Sequence, residues 1–555
     1  MLKQIFLWII VSAFFFVACR QESRRKTTLA VINARIWTGN SEQPWAEALA
    51  VSGNKIIAVG ANIEIQLFID DSTYVIDAEG MMVTPGFIDS HVHFLEGGFQ
   101  LSSVQLRDAR TKQEFINRIS KYARTVEPGT WITGGNWDHS LWGGELPRAD
   151  WIDKVTPNNP VWVIRLDGHM ALANYYAMKL AGITGETQDI AGGTIVRNKN
   201  GQPTGIFKDN AMALIEKIVP EPTEQMKLRA LKAATDYVIQ QGVTSVHHMG
   251  SWDDLTIFEK AHQSGNLKTR IYAAVPLSSW QKLQEKIQRK GNGDQWLKIG
   301  GLKGFADGSL GSHTAAFFQP YTDSPKDSGL IVNSPDKLYQ WVSKCDKAGL
   351  QAIVHAIGDR ANFMMLNIYE QVVNENGERD RRFRIEHAQH LAPADIPRFA
   401  ELGIIASMQP YHAIDDGRWA EQFIGPERIK KTYAFRSLLN TGATLVFGSD
   451  WYVAPPIPIL GIYAAVTRRT LDNKHPNGWV PEQKITVDEA LRAYTINAAY
   501  ASFEEQLKGS LIPGKLADFV ILNQDITTIP SEQIPSTKVM MTVIDGKIVF
   551  QRNFD

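Results

Sequence analysis

The sequence predicts an α/β fold: a (β/α)8 barrel with a small β-sandwich built from both chain ends and an insertion after the first barrel strand. Short apolar runs alternate with amphipathic helical stretches through the middle of the chain, a pattern typical of parallel α/β folds. Eight such runs can be marked, the count that closes a barrel. Histidine and aspartate follow several of these runs directly, at the end where barrels of this kind build their active sites.

Several of the runs are apolar without alternation, and this pattern predicts strands that are covered on both faces. The segment from about 98 to 235 is far too long for one connection between a strand and a helix, so it predicts an inserted subdomain. Its position after a strand places it over the mouth of the barrel. The eight predicted strands are Met82–Ile88, Val243–His247, Ile271–Val275, Leu297–Phe305, Gln351–His355, Phe383–His387, Ile404–Met408 and Thr444–Phe447.

Both ends of the chain are rich in predicted strands. The Asp545-Gly546 pair between two apolar runs predicts a hairpin near the C-terminus. Neither end could bury a good core alone, so we expect residues 28–82 and 505–555 to form one composite domain, which leaves residues 83–504 for the barrel. The runs that predict strands here are Leu29–Trp37, Ala48–Ser52, Lys55–Val59, Asp518–Leu522 and Met541–Phe550.

Composition sets limits on the partners of the protein. The chain has 555 residues, of which 44% are hydrophobic and 21% charged, and its formal net charge is −1. Basic and acidic residues are interspersed, whereas nucleic-acid binding requires a basic face. We therefore expect a globular protein without nucleic acid as its main partner. The expected partner is instead a small-molecule substrate, and a homo-oligomer stays an open alternative.

The N-terminus predicts export. Lys3 precedes an apolar run from Ile5 to Ala18, which is too short to span a membrane and fits the core of a signal peptide. The run ends at Cys19, and residues 16–19 (FVAC) resemble a lipobox, the sequence that precedes a lipidated cysteine. We expect a signal peptide at 1–18, lipidation of Cys19, a linker at 19–27 and attachment to the periplasmic or cell-surface side of a membrane. The alternative is ordinary signal cleavage with an incidental cysteine.

Candidate metal ligands lie at the ends of predicted barrel strands. His91 and His93 are two residues apart and therefore lie on the same side of an extended chain. His355, His387 and Asp450 follow or end the fifth, sixth and eighth strands. A single histidine at a strand end is more often a hydrogen-bonded structural residue than a ligand, but four histidines and an aspartate in such positions favour a metal site. Imidazole and carboxylate ligands suit zinc and similar divalent ions.

Several motifs resemble those of the amidohydrolase superfamily. Residues 84–93 (TPGFIDSHVH), 354–359 (VHAIGD), 384–389 (RIEHAQ) and 447–451 (FGSDW) are similar to its motifs at barrel strands one, five, six and eight. Residues 135–138 (GNWD), 167–169 (DGH) and 303–312 (KGFADGSLGS) resemble the amidohydrolase-3 group, which includes N-substituted formamide deformylases and YtcJ-like hydrolases. The resemblance covers essentially the whole chain after the signal peptide.

The resemblance implies a metal centre with one or two divalent ions, of which zinc is expected. Lys303 lies in the fourth predicted strand, where related binuclear enzymes carry a lysine carboxylated by carbon dioxide. The alternative is a lysine paired with Asp307, in a site with a single ion. On the binuclear interpretation one ion is held by His91, His93 and Asp450, the other by His355 and His387, and carboxylated Lys303 bridges them.

The expected reaction is hydrolysis of a C–N bond other than a peptide bond, in an amide or formamide-like substrate. A metal-activated water would attack the carbonyl carbon, and the resemblance assigns to Asp450 the transfer of its proton to the leaving nitrogen. An ester or lactone hydrolase, or an isomerase, could use the same centre. A non-catalytic lipoprotein that binds a small molecule is a further alternative. An enzyme that had lost its activity, however, would be expected to have lost at least one of the metal-binding residues.

Other polar and aromatic residues are candidates for substrate contact. Some belong to the insertion, and the rest lie just past predicted strand ends, where pocket walls form. Structural hydrogen bonds and core packing are alternatives for each. The candidates are Trp137, Asp138 and His169 in the insertion, and His313, Tyr411, His412 and Trp451 near the barrel mouth.

Overall fold

The computed structural model describes residues 26–553 except for 167, 169, 191 and 192. Its strands are numbered here in chain order. They are β1 Leu29–Ile32, β2 Arg35–Trp37, β3 Trp45–Ala46, β4 Ala48–Ser52, β5 Lys55–Gly60, β6 Tyr74–Asp77, β7 Met82–Pro85, β8 Phe87–Val92, β9 Val104–Gln105, β10 Ile132–Trp137, β11 Val161–Arg165, β12 Met170–Ala173, β13 Gly193–Arg197, β14 Pro203–Asp209, β15 Val243–Met249, β16 Arg270–Pro276, β17 Leu297–Phe305, β18 Gln351–Ala356, β19 Arg384–His387, β20 Ile405–Met408, β21 Leu445–Phe447, β22 Phe519–Leu522, β23 Val539–Ile544 and β24 Lys547–Gln551.

Helices alternate with the strands of the central region. Among the described residues, no helix is both long and apolar enough to cross a membrane. The α-helices are α1 Asn62–Ile65, α2 Phe94–Ser102, α3 Lys112–Ala123, α4 Ala149–Ile152, α5 Tyr175–Leu180, α6 Ala213–Glu216, α7 Glu224–Gln240, α8 Trp252–Gln263, α9 Trp280–Lys290, α10 Pro335–Lys347, α11 Asp359–Asn376, α12 Ile396–Glu401, α13 Pro410–Asp416, α14 Ala420–Arg428, α15 Phe435–Asn440, α16 Pro458–Thr467, α17 Val487–Ala493 and α18 Ile496–Ala501.

Strands β8 and β15 to β21 form a parallel eight-stranded sheet, in which neighbours in space are neighbours in this series. The sheet closes where its first and last members meet, through a bridge between Val92 and Trp451. There the amide of His93 donates to the carbonyl of Trp451 over 2.6 Å. The predicted (β/α)8 barrel is therefore confirmed.

The first predicted strand was placed too early in the chain. Residues 82–88 do not form one strand, because Met82–Pro85 belongs to the composite sheet and the barrel strand is Phe87–Val92. The chain passes from one sheet to the other at Gly86, where an added Cβ would lie only 2.2 Å from Oγ1 of Thr244. This close approach leaves no room for a side chain.

The two chain ends share one sheet. Strand β7 pairs antiparallel with β22, with Val83 opposite Ile521, and the sheet runs in the order β24-β23-β22-β7-β2-β3. A second sheet, β5-β4-β1-β6, packs against it around a common core that includes Leu49 and Phe519. The composite sandwich that the sequence predicts is therefore present. The predicted hairpin turns at Asp545 and Gly546, whose φ angles are both positive, as a type I′ turn requires.

The insertion contains a sheet of its own between β8 and β15. Its order is β13-β14-β12-β11-β10-β9, and each face carries a hydrophobic core. One core includes Trp137 and Ile206, and the other includes Trp162 and Phe207. Because two packed faces hold this sheet rigid, it can carry side chains to the barrel mouth in fixed positions.

A buried ion pair ties the barrel to the composite domain. Arg270 of β16 donates two hydrogen bonds to Asp518, from Nε over 2.6 Å and from Nη2 over 2.9 Å. The same guanidinium reaches Asp545 over 3.1 Å. Because Arg270 and Asp518 are 1% and 4% exposed, the contact depends little on salt and fixes the C-terminal strands against the barrel.

Candidate metal centre

The predicted ligands come together at the C-terminal end of the barrel strands. His91 and His387 lie within β8 and β19, His93 follows β8 directly, and Asp450 lies three residues beyond the end of β21. They line one cavity of about 540 Å³. The six predicted ligands in its lining are His91, His93, Lys303, His355, His387 and Asp450.

His91, His93 and Asp450 form a first group. Oδ1 of Asp450 lies 3.4 Å from Nε2 of His91 and 3.3 Å from Nε2 of His93. The three ligand atoms lie within 4.8 Å of one another. Burial and the positive charge of Lys303 lower the pKa of His91 to about 4, so this imidazole is neutral at neutral pH and its nitrogen can coordinate a cation.

A second group shares Asp450 with the first. It contains His387 and His412, and again the ligand atoms lie within 4.8 Å of one another. Nδ1 of His387 lies 2.7 Å from Oε1 of Gln409, which acts as its hydrogen-bond acceptor. That bond leaves Nε2 of His387 for the cavity. The sequence placed His412 only among the candidates for the pocket wall, because it lies four residues beyond a strand, on helix α13.

His355 also faces this region. Its ring centroid lies 4.5 Å from that of His387, and its Nε2 donates to the carbonyl of Gly308 over 2.9 Å. A hydrogen bond of this kind is typical of histidines that bind a metal through the other ring nitrogen, here Nδ1. Burial, with Lys303, lowers the pKa of His355 to about 3, so this ring is also neutral.

The side chain of Lys303 extends from β17 to the candidate ligands. Its Nζ lies 3.4 Å from Nε2 of His91. Burial lowers the pKa of Lys303 to about 8, although Glu386 and Asp450 oppose the shift. The carboxylate of Asp307, the alternative partner, instead accepts hydrogen bonds from the main-chain amides of Ala316, Ile357 and Gly358, at 2.8 to 2.9 Å.

Glu386 supports the first group from inside the barrel. Its Oε2 accepts a short hydrogen bond from Nδ1 of His91 and a second from Ser407 over 2.8 Å. Arg384 donates to its Oε1 over 2.8 Å and also contacts Nδ1 of His247 at 3.0 Å. Burial alone would raise the pKa of Glu386, but Arg384 and His91 outweigh it and lower the pKa. A carboxylate, a histidine and a metal form a common triad. Glu386 was not among the site residues predicted from the sequence.

A left-handed backbone conformation orients two of the candidate ligands. Asp450 and His387 have φ angles of 58° and 72°, a left-handed conformation that is costly for non-glycine residues and that concentrates at functional sites. Gly448 lets the end of β21 approach the first strand, because an added Cβ there would lie 2.5 Å from the amide nitrogen of His91.

The donor set fits a divalent cation. The candidate ligands are imidazoles and a carboxylate, and Nε2 of His412 is buried without a hydrogen-bond partner among the described residues. Burial alone would raise the pKa of Asp450, but His91 and the hydrogen bond to His93 hold it well below its ordinary value. Asp450 is therefore ionised at neutral pH and supplies the negative charge that a cation needs.

Of the residues proposed for substrate contact in the insertion, Asp138 lines the cavity. Its carboxylate lies 3.4 Å from Nη2 of Arg165 and accepts from Ser140 over 2.8 Å. Trp137, the neighbour of Asp138, points the other way into the core of the insertion, with its indole donating to the carbonyl of Val163. His169 falls outside the described residues.

Three further candidates are not among the described residues that line the cavity. His313 lies 3.0 Å from the carboxylate of Asp323. The indole of Trp451 donates to Gln100 over 3.1 Å. Tyr411 stands next to His412 in the chain, and of these two side chains His412 is the one that lines the cavity.

Aromatic side chains form part of the cavity wall. Phe305 is the last residue of β17, the strand of Lys303, while Trp419 and Phe423 come from α14 and its N-terminal flank. The ring centroids of Trp419 and Phe423 lie 5.0 Å apart. Arg107 and Arg418 also line the cavity, and both contact Asp415, whose carboxylate offsets one of their two charges.

This barrel, with a cluster of histidines and an aspartate at its mouth, is the architecture of a metal-dependent hydrolase. The chain belongs to the amidohydrolase family, whose model matches residues 74–550. The family resemblance seen in the sequence is therefore confirmed.

Curated relatives cover almost the whole chain. Protein LONG AFTER FAR-RED 3 of Arabidopsis thaliana is 43% identical over 94% of this chain and 91% of its own length. Putative amidohydrolase YtcJ of Bacillus subtilis is 30% identical, over 93% of this chain and 98% of its own. N-substituted formamide deformylase of Arthrobacter pascens is 28% identical, over 94% and 98%.

Solved structures support the same assignment. An uncharacterized metal-dependent hydrolase from Pyrococcus horikoshii has a TM-score of 0.75 and 28% identity, over 91% of this chain and 99% of that chain. Its counterpart from Pyrococcus furiosus has a TM-score of 0.73 and 28% identity, over 90% and 99%.

Proposed function

We propose that the protein hydrolyses a C–N bond other than a peptide bond, in an amide or formamide-like small molecule. The observation that carries this proposal is the group formed by His91, His93 and Asp450 at the base of the cavity, with ligand atoms within 4.8 Å of one another. Membership of the amidohydrolase family supports it, as does the likeness to an N-substituted formamide deformylase.

One or two divalent cations, with zinc as the expected ion, would be held by the residues at the barrel mouth. His91, His93 and Asp450 would hold one cation, and His355 and His387 the second. Such a cation supplies Lewis-acid chemistry, which activates water as a nucleophile and polarises a carbonyl oxygen. Glu386 would hold the ring of His91 in position, and Gln409 would do the same for His387.

Asp450 is the proposed catalytic residue. Its carboxylate faces the cavity between His91 and His93 and is ionised at neutral pH, so it can accept a proton from the attacking water. It would then deliver that proton to the leaving nitrogen as the C–N bond breaks. This transfer lets the nitrogen depart as a neutral amine, which is a far better leaving group than an amide anion.

Carboxylation of Lys303 is part of the proposal. The neutral amine would add to carbon dioxide and release one proton, which gives a carbamate whose single negative charge is shared by two oxygen ligands. The burial of Lys303 and its 3.4 Å separation from His91 support this assignment, because an ammonium group at this point would repel a cation bound by His91. A centre with one ion and an unmodified lysine is the alternative.

The lining of the cavity favours a substrate whose amide carries an apolar substituent. Phe305, Trp419 and Phe423 line its wall, and aromatic walls favour flat apolar groups. Hydrolysis of an ester or a lactone, or an isomerisation, would use the same polar groups at the base, so the substrate class has to be measured directly.

A chromogenic panel tests the reaction class. Purified protein would be assayed with a formanilide, the corresponding acetanilide, an aryl ester and a lactone, each at the same concentration. The proposal predicts the highest kcat/KM for an anilide. A kcat/KM for the ester or the lactone that exceeds both anilides by tenfold or more would overturn it.

We also propose that the protein is exported and held to a membrane by lipid on Cys19. The support is the sequence of residues 3–19, in which a basic residue precedes a short apolar run and a cysteine. Cys19→Ser should abolish incorporation of radiolabelled palmitate and shift the protein from the detergent phase to the aqueous phase. Unchanged partitioning and labelling would contradict the anchor.

A further inference from the structure

Helix α13 brings a histidine to the metal centre that the family motifs in this sequence do not include. Strand β20 ends at Met408, and the next residue, Gln409, contacts His387 at 2.7 Å. One turn later His412 lines the same cavity. A single segment thus supplies both the partner that orients His387 and a second imidazole beside it.

The ring of His412 has a nitrogen whose lone pair can coordinate a cation. Its Nε2 is buried and has no hydrogen-bond partner among the described residues, whereas buried polar atoms in folded proteins nearly always have one. Because the ring lines the cavity, the lone pair of Nε2 can bind a cation there.

The position of that lone pair matches a coordination site. Nε2 of His412 belongs to a group with His387 and Asp450 whose ligand atoms all lie within 4.8 Å of one another. The first group, around His91, also includes Asp450, so the two groups are adjacent. Imidazole nitrogens and carboxylate oxygens are common ligands of zinc.

We propose that His412 is a metal ligand, which binds the second cation together with His387 and Asp450. This inference rests on the metal centre of the proposed function and adds a ligand from the segment after the seventh barrel strand. The principal alternative is that His412 contacts the substrate and leaves the metal untouched. The two roles differ in whether loss of the imidazole changes metal binding in the absence of substrate.

The experiment measures metal binding without substrate. His412→Phe keeps the volume of the ring and removes both nitrogens, and His412→Gln serves as a second variant if the phenyl ring is not accommodated. Tyr411→Phe is the matched control, because it alters the neighbouring residue on α13 outside the cavity lining. Circular dichroism checks folding, elemental analysis gives ions per chain, and competition with a chelator gives the zinc affinity.

His412→Phe should weaken binding of the second ion by at least about tenfold, since loss of a mere supporting residue typically costs 10–100-fold. The visible spectrum of the cobalt-substituted protein should change, while Tyr411→Phe should match the wild type. Unchanged ion content, zinc affinity and cobalt spectrum in a folded His412 variant would overturn the inference, even with reduced turnover. A wild type that binds no zinc or cobalt would instead overturn the metal centre itself, and the inference with it.

Discussion

The main-chain amide of Asp450 donates a hydrogen bond to the carbonyl oxygen of His91 over 2.7 Å. This bond joins the mouth ends of the first and last barrel strands at two of the candidate metal ligands. Asp89 strengthens the same junction, because its carboxylate accepts from the amide of Ser449 over 2.8 Å. Closure of the barrel and assembly of the ligand cluster therefore depend on the same few contacts.

Asp450→Asn separates the proton transfer from metal binding. Asparagine has nearly the same shape and can still offer a carbonyl oxygen, but it accepts no proton at neutral pH. General acid–base catalysis typically contributes about 10²–10⁴-fold, so turnover of the preferred anilide should fall by roughly that factor. Elemental analysis should find the metal content retained. Parallel loss of metal and activity would assign Asp450 mainly to coordination, and unchanged turnover would remove it from the mechanism.

Lys303→Ala tests the bridging carbamate. Removing the anionic ligand should lower metal occupancy, chiefly at the second position, and should reduce turnover. Acetate or propionate should restore part of both, because a small carboxylate can supply the missing oxygens. Intact mass under native conditions should show the added carbon dioxide on the wild type and lose it in acid. A wild type with one ion per chain, combined with a fully active Lys303→Ala, would refute the binuclear assignment.

Glu386→Gln tests the support of His91. The variant keeps the shape but loses the carboxylate that holds Nδ1 of His91, and metal affinity should fall by about 10–100-fold. Glu504→Gln is the control, because Glu504 is also buried and paired, with Lys508 at 3.0 Å, away from the cavity lining. Equal zinc affinity in both variants would show that Glu386 stabilises the barrel without positioning His91.

Asp518→Asn tests the link between the barrel and the composite domain. It removes the charge of the buried partner of Arg270 and leaves the more exposed Asp545, at 3.1 Å, to offset the guanidinium. Breaking a buried ion pair typically costs about 3–5 kcal/mol. Urea unfolding should show a loss of that order, with kcat/KM of the folded protein little changed. The control is Glu427→Gln at an exposed pair with Lys430, where the expected change is within about 0.5 kcal/mol. A similar small effect for Asp518→Asn would mean that the link adds little.

The barrel and the ligand cluster could be predicted because both depend on simple periodicity. Residues two apart on a strand face the same way, so His91 and His93 could be paired from spacing alone. Glu386 follows the same rule, since Arg384 and Glu386 are two apart in a buried strand and both point into the barrel. This pair of opposite charges in a predicted barrel strand was the signal from which a supporting network could have been predicted.

His412 could not be placed from periodicity. It lies beyond the end of β20, and its position depends on how α13 turns back over the barrel mouth, which no strand register determines. The orientation of Trp137, by contrast, is constrained by strand periodicity. This residue alternates with Asp138 at the end of β10, so only one of the two can face the cavity, and packing of the insertion core places the indole inside.

Dependence of turnover on bound metal tests the central claim most directly. The purified protein would be stripped with a chelator, and zinc would be added back in steps while bound ions per chain and hydrolysis of the anilide are recorded on the same samples. The proposed function predicts that stripped protein is inactive and that turnover rises with bound zinc until the centre is filled. Stripped protein that contains no metal yet keeps full turnover would contradict it.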